Sequence, residues 1–239
     1  MAATGKLIRR AAAFLCFIIL SVFPGRGRAA DLSKENCSFE YLRHCNIMAL
    51  KTNRYTEGRP VIIFLPGTLE SGSIADTVRW IRNYGLYDGY DADVIAAAFR
   101  SRPLKLQDWK GPAEDILEYL RDRHKASPFY VSVDAVSSGG YGGCYLARLL
   151  EENGITVREL NLADACVPKL VTAEWIREIA AAGTRVNIWG CRGSGTMSAE
   201  ARRLIEELDG TENVRGAVLD TPHGKVLHDA IYEHGAHDF

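Results

Sequence analysis

The sequence predicts an α/β protein: a three-layer α/β/α sandwich with a mainly parallel sheet. Six short apolar segments rich in β-branched residues recur along the chain, and a helical pattern follows each of them. Several of the helical stretches close on glycine, where helices tend to stop. Strands alternating with helices of this length imply crossover units and a sheet covered on both faces, with chemistry beyond the carboxyl ends of the strands. The 239 residues suffice for one such domain with a substantial core, but not comfortably for two.

The chain opens on "MAATGKLIRRAAAFLCFIILSVFPGRGRAA". A basic start (Lys6, Arg9, Arg10), an apolar run over 11–23, a Pro-Gly break and small residues have the layout of a secretory signal peptide. The expected cleavage follows Ala29, with Ala30 as competitor; an uncleaved anchor is the other reading of so long an apolar run. Cleavage removes five basic and no acidic residues, so the formal net charge moves from −1 to −6. A mildly acidic domain without a basic cluster is not built to bind nucleic acid, and after cleavage no stable membrane span is expected. The expected division is 1–29 leader, 30–57 N-terminal segment and 58–239 a single domain.

Five cysteines follow the leader, and in an exported protein most are expected to pair. Cys37 and Cys45 are close enough in sequence to clip the N-terminal segment. Cys166 and Cys191 each follow a predicted strand and would meet if those strands are neighbours, which leaves Cys144 as a buried free thiol. Five reduced cysteines are the alternative.

The predicted strands are "PVIIFLPG" (60–67), "DVIAAAFR" (93–100), "FYVSVDAV" (129–136), "VRELNLAD" (157–164), "RVNIWGC" (185–191) and "VRGAVLD" (214–220). The helical patterns cover 73–85, 111–126, 140–154, 172–183, 198–210 and 224–235. The third strand runs into Ala135-Val136-Ser137-Ser138-Gly139-Gly140, a tight corner before a helix crowded with glycine. Such a corner holds the serine in a strained conformation, with its hydroxyl above the sheet edge and beside a helix N-terminus that favours negative charge. The motif matches G-x-S-x-G except that Ala135 stands in the first place. A glycine-rich turn that merely packs, or a nucleotide loop, would be the bland reading, but neither G-x-G-x-x-G nor a P-loop lysine is present.

With this corner the chain resembles the α/β-hydrolase family over roughly residues 58 to 237. "PGTLESG" (66–72) is similar to the family's oxyanion loop, with Pro66 in place of the usual histidine. The resemblance implies that the N–H of Thr68 or Leu69, together with that of Ser138, holds a developing oxyanion; each such donor is typically worth on the order of 100- to 1,000-fold in rate. It also implies a base between the last strand and the last helix, where Pro222-His223-Gly224 falls; His228 is the competitor but belongs to the helix. The family's acid usually follows the penultimate strand, yet "GCRGSGTMSAE" offers no carboxylate before Glu200. Asp164 stands one strand earlier, as in some members, and restores the order nucleophile, acid, histidine. A turn-capping role for Asp164, Asp220 as reserve acid, and no acid at all remain open.

These residues imply an exported serine hydrolase acting on a carboxylic ester or related acyl bond, small or polymer-attached, without metal or organic cofactor. Acyl transfer to another acceptor would use the same residues. A hydrolase-fold protein of the cell envelope that binds without turnover is the second reading, favoured by Ala135, Pro66 and the displaced acid. His228, His234 and His237 read as a solvated tail without the spacing of a helical zinc site. Glu70, Arg100 and Trp109 stand in or just after loops at strand ends, with no role assigned.

Overall fold

The computed structural model describes residues 37–50, 60–67, 74–87, 92–99, 106–123, 130–193 and 195–237. The leader, Thr68, Leu69, Glu70 and Arg100 lie outside them. The described strands are β1 (Cys37–Tyr41), β2 (Cys45–Leu50), β3 (Val61–Leu65), β4 (Asp93–Phe99), β5 (Val131–Val136), β6 (Val157–Ala163), β7 (Arg185–Cys191) and β8 (Val214–Leu219). The helices are α1 (Ile74–Asn83), α2 (Leu106–Arg123), α3 (Gly139–Glu152), α4 (Ala173–Ala181), α5 (Thr196–Glu207) and α6 (Val226–His234). All eight strands form one sheet in the order β1-β2-β4-β3-β5-β6-β7-β8. The strands from β3 to β8 run parallel, and β2 pairs antiparallel with both β1 and β4.

The six predicted strands are present; β3 and β5 have every residue buried and so need apolar side chains on both faces, whereas the edge strand β8 buries only Leu219. Residues 37–50, set in a separate segment by their patterning, instead supply two strands of the same sheet. Their pattern is faint because β1 is an edge strand with Phe39 and Tyr41 exposed. Helix α2 starts at Leu106, before the expected Gly111-Pro112 start, and carries Pro112 inside it.

Two apolar cores flank the sheet. One joins β2, β3, β5, β6 and β7 to α2, α3, α4 and α5, with Ile116, Leu146, Ile176 and Leu204 almost wholly buried. The other lies under α1 and α6, around Phe64, Ile81, Val226 and Ile231. Trp109, a residue expected near a strand-end loop, is a core residue at 3% exposure. Its ring lies where a Cβ on Gly142 would stand 1.9 Å away, so the glycine-rich start of α3 makes room for it.

The expected disulfides are not formed. Cys45, Cys144, Cys166 and Cys191 are all free and buried. Cys37 pairs with Leu50 while Cys45 lies at the turn end of the same hairpin, about five residues or roughly 16 Å along the strand, beyond the reach of a disulfide. Cys191 ends β7 and Cys166 lies just beyond the neighbouring β6, but Cys166 packs into the core under α2 to α5 and Cys191 into the opposite one. Burial pushes the Cys144 thiol up to about 12 and raises that of Cys166 as well, so both are unreactive.

Candidate active site

Ser137 stands at the corner between β5 and α3 with φ +53°, a left-handed conformation that costs a non-glycine residue roughly 1–3 kcal/mol. Three packed surfaces impose it. A Cβ on Gly139 would lie 2.6 Å from the Leu65 carbonyl oxygen, one on Gly140 would lie 2.0 Å from the Ala165 oxygen, and one on Gly67 would lie 2.5 Å from Ser137 Cβ. The ends of β3 and β6 therefore press against the start of α3, and the serine takes the strain. Ser138 is the N-cap of α3, so Ser137 sits at the positive end of a fourteen-residue helix.

The first place of the motif tolerates Ala135 for a local reason. A Cβ on Gly143 would come within 2.8 Å of the Ala135 methyl, so the glycine needed for close approach is on the helix rather than the strand.

His223 follows β8 in a short 3-10 turn and Asp164 follows β6. His223 Nδ1 and Asp164 Oδ2 are joined by a short hydrogen bond. The imidazole is half exposed while the carboxyl is 4% exposed. The Asp164 backbone is also left-handed (φ +45°), and its N–H donates to the Trp189 carbonyl at 2.6 Å. Ser198 Oγ donates to Oδ1 at 2.8 Å, and Cys191 Sγ lies 3.5 Å from Oδ2. Burial pushes the Asp164 carboxyl up, but the hydrogen bonds from His223 and Ser198, the charge of His223 and the Cys191 contact outweigh it and hold it below its ordinary value. The hydrogen bond to Asp164 raises His223 above its ordinary 6.5 against the opposing effect of burial.

Ser137 and His223 line one cleft of about 110 Å³, walled by Phe64, Pro66, Gly67, Trp80, Val136 and Gly224. Phe64 and Trp80 stack at 5.2 Å on its apolar side. The Ser137 hydroxyl points to Met197 Sδ at 3.8 Å. With Nδ1 donating to Asp164, the other ring nitrogen is the one able to accept a proton. A strained serine beside a helix N-terminus, a histidine oriented by a buried carboxyl and an apolar cleft between them can carry out acyl transfer through a covalent intermediate.

The sequence candidates separate cleanly. Ser137 and His223 share the cleft and Asp164 holds His223. Asp220 instead makes an exposed ion pair with Arg192 at 2.8 Å, and His228 pairs with Asp229 on α6. Ser198 and Met197 give no sequence signal, since a Met-Ser pair inside "GTMSAE" carries none of its own, and Cys191, expected in a disulfide, instead faces the Asp164 carboxyl as a thiol. His237, expected in a solvated tail, is buried at 6% exposure; its Nε2 lies 2.9 Å from Asp134 Oδ2 and its Nδ1 3.3 Å from Glu159 Oε2. Among the described residues no cluster of His, Cys, Asp and Glu could hold a metal ion.

No protein-family profile and no curated protein matches the sequence. Solved structures do match the fold. An α/β hydrolase from Vibrio vulnificus is 17% identical, with TM-score 0.59 over 83% of this chain and 79% of that one. An esterase from Pyrobaculum calidifontis is 15% identical, with TM-score 0.55 over 96% of this chain and 88% of that one. A thermostable esterase from Pseudomonas putida is 12% identical, with TM-score 0.53 over 95% of this chain and 85% of that one. The sheet order, the helices on both faces and these neighbours agree: the chain has the α/β-hydrolase fold.

Proposed function

We propose that the protein is a serine hydrolase that cleaves a carboxylic ester or a related acyl bond. The observation that carries this reading is the left-handed Ser137 in one cleft with a histidine oriented by a buried carboxyl. In the proposed reaction the Ser137 hydroxyl leaves Met197, turns to His223 and gives up its proton as Oγ attacks the acyl carbonyl. The imidazolium that forms is stabilised by Asp164, then returns the proton to the leaving alcohol or amine. Water repeats the two steps to release the acid. The N–H groups of Ser138 and of Thr68 or Leu69 are the proposed donors to the tetrahedral oxyanion. The solved esterases of the same fold support the choice of substrate class, and the leader-like N-terminus supports action outside the cytoplasm.

A fluorophosphonate probe tests this directly. Wild type is expected to be labelled, while Ser137→Ala and His223→Ala are not. A folded wild type that stays unlabelled would favour the binding-protein reading, to which Ala135, Pro66 and the displaced acid lend support.

A further inference from the structure

Asp164 faces a geometric difficulty that an acid after β7 would not. It ends β6, whereas His223 follows β8, and β7 lies between them in the sheet. The carboxyl group must therefore reach across the end of β7 to meet the imidazole. A carboxyl group turning about its own Cβ–Cγ bond would orient the ring poorly. The turn is blocked because both oxygens are engaged: Oδ2 with His223 Nδ1, and Oδ1 with Ser198 Oγ at 2.8 Å. Ser198 is itself buried, at 2% exposure in the first turn of α5, and its Oγ lies 3.1 Å from Cys191 Sγ at the end of β7. The ground where the fold usually carries its acid is thus occupied by a hydroxyl and a thiol that face the displaced one.

We propose that Ser198 is a positioning residue: its hydroxyl fixes the rotation of the Asp164 carboxyl so that Oδ2 stays on His223 Nδ1. This rests on the reading of Ser137, His223 and Asp164 as the reacting set. Ser198 touches the acid on the side away from His223, so it acts through Asp164 alone. Cys191 is the weaker partner, since a thiol is a poor donor and its contact with Oδ2 is 3.5 Å.

The test combines turnover with a measurement that needs none. Ser198→Ala is expected to lower kcat on a p-nitrophenyl ester by roughly 10- to 100-fold, with KM within about twofold, as expected when a hydrogen bond to a charged group is lost. Ser198→Thr, which keeps the hydroxyl, should recover most of kcat. In an Asp164→Asn background the alanine change should cost nothing further, because the two residues act as one unit. Histidine NMR titration supplies the second readout. The His223 midpoint, expected above 6.5 in wild type because Asp164 stabilises the charged ring, should move in Ser198→Ala once the Asp164 carboxyl is free to turn, whereas a merely destabilised fold would leave it in place. An unchanged midpoint in Ser198→Ala overturns the proposal even if the probe labels Ser137. A midpoint that moves in a protein the probe never labels supports the positioning role of Ser198 and overturns the hydrolase reading.

Discussion

Two of the histidine–carboxyl arrangements among the described residues differ in almost everything but their chemistry. At the strand ends His223 pairs with Asp164, half exposed and facing a cleft. Beneath α1 and α6, His237 lies between Asp134 and Glu159 with no exposed side-chain surface. Around it Tyr87 and Asn161 donate to Asp134, Arg185 donates to Glu159, and the chain of amides continues through Asn187 to Arg215. Both rings are held above their ordinary value; burial pushes His237 down, but the charge and hydrogen bond of Asp134, followed by Glu159, take it up to about 9. A shifted histidine therefore does not by itself mark the proposed reactive centre. Access does, and so does a serine held in a left-handed conformation beside the ring, which only the first arrangement has.

The largest expected effects break the first pair and spare the second. Ser137→Ala should reduce ester hydrolysis by at least about 1,000-fold with no loss of fold. Asp164→Asn should lower kcat by up to about 10,000-fold, because the asparagine favours the wrong tautomer of His223. Asp134→Asn, its counterpart in the buried arrangement, should leave kcat/KM within severalfold while lowering Tm. If Asp134→Asn damaged turnover as severely as Asp164→Asn, the separation of the two pairs would be mistaken. The pH profile gives the same contrast. Only neutral His223 can accept the serine proton, so kcat/KM should rise through a midpoint above 6.5, and Asp164→Asn should lower that midpoint.

How far the sequence revealed this follows from where each signal comes from. The strands β3 to β7 are legible because burial on both faces leaves short runs such as "VIIFL", and the edge strand β8 because its β-branched "VRGAVL" stands between two helical patterns. Strand β1 is not, since an edge strand reading "CSFEY" mixes exposed and polar positions. Ser137 is legible because it immediately follows a strand end, and His223 because it stands between the last strand and the last helix. Asp164 is legible only as the carboxylate left at such an end, and Ser198, whose hydroxyl donates to it, lies 34 residues away. His237 was misplaced because its partners lie 103 and 78 residues back in the chain. The missed signal was in the strands: Asp134 and Glu159 sit among apolar residues and are fully buried, which demands a counter-charge from somewhere.

Breaking the second arrangement should cost stability without chemistry. His237→Gln leaves buried carboxyl groups short of their cationic partner, a change worth roughly 3–5 kcal/mol. Because the folded ring titrates near 9 and the unfolded one near 6.5, its contribution is complete below 6.5 and is lost as pH rises through about 9. Denaturant unfolding of wild type and His237→Gln should accordingly differ most at pH 6 and converge towards pH 10. A gap that stays constant over that range would mean that the ring is held neutral. Probe labelling of Ser137 should survive the substitution wherever the protein remains folded.

The smallest expected effect concerns Ala135, the departure that most weakens the serine motif on paper. If Gly143 supplies the clearance, Ala135→Gly should alter kcat/KM by no more than about threefold, because the Ser137 conformation is imposed by contacts at Gly67, Gly139 and Gly140. Gly143→Ala should destabilise wild type by about 1–3 kcal/mol, since its methyl would meet that of Ala135 at 2.8 Å. In the Ala135→Gly background that clash disappears and only the end of the Leu160 side chain, 3.3 Å away and able to turn aside, remains close, so the better helix propensity of alanine, worth up to about 1 kcal/mol, should emerge instead. The two substitutions should therefore be strongly non-additive in a double-mutant cycle read by Tm and denaturant unfolding. Simple additivity would mean that strand and helix do not share this contact, and that the missing glycine must be compensated somewhere else around Ser137.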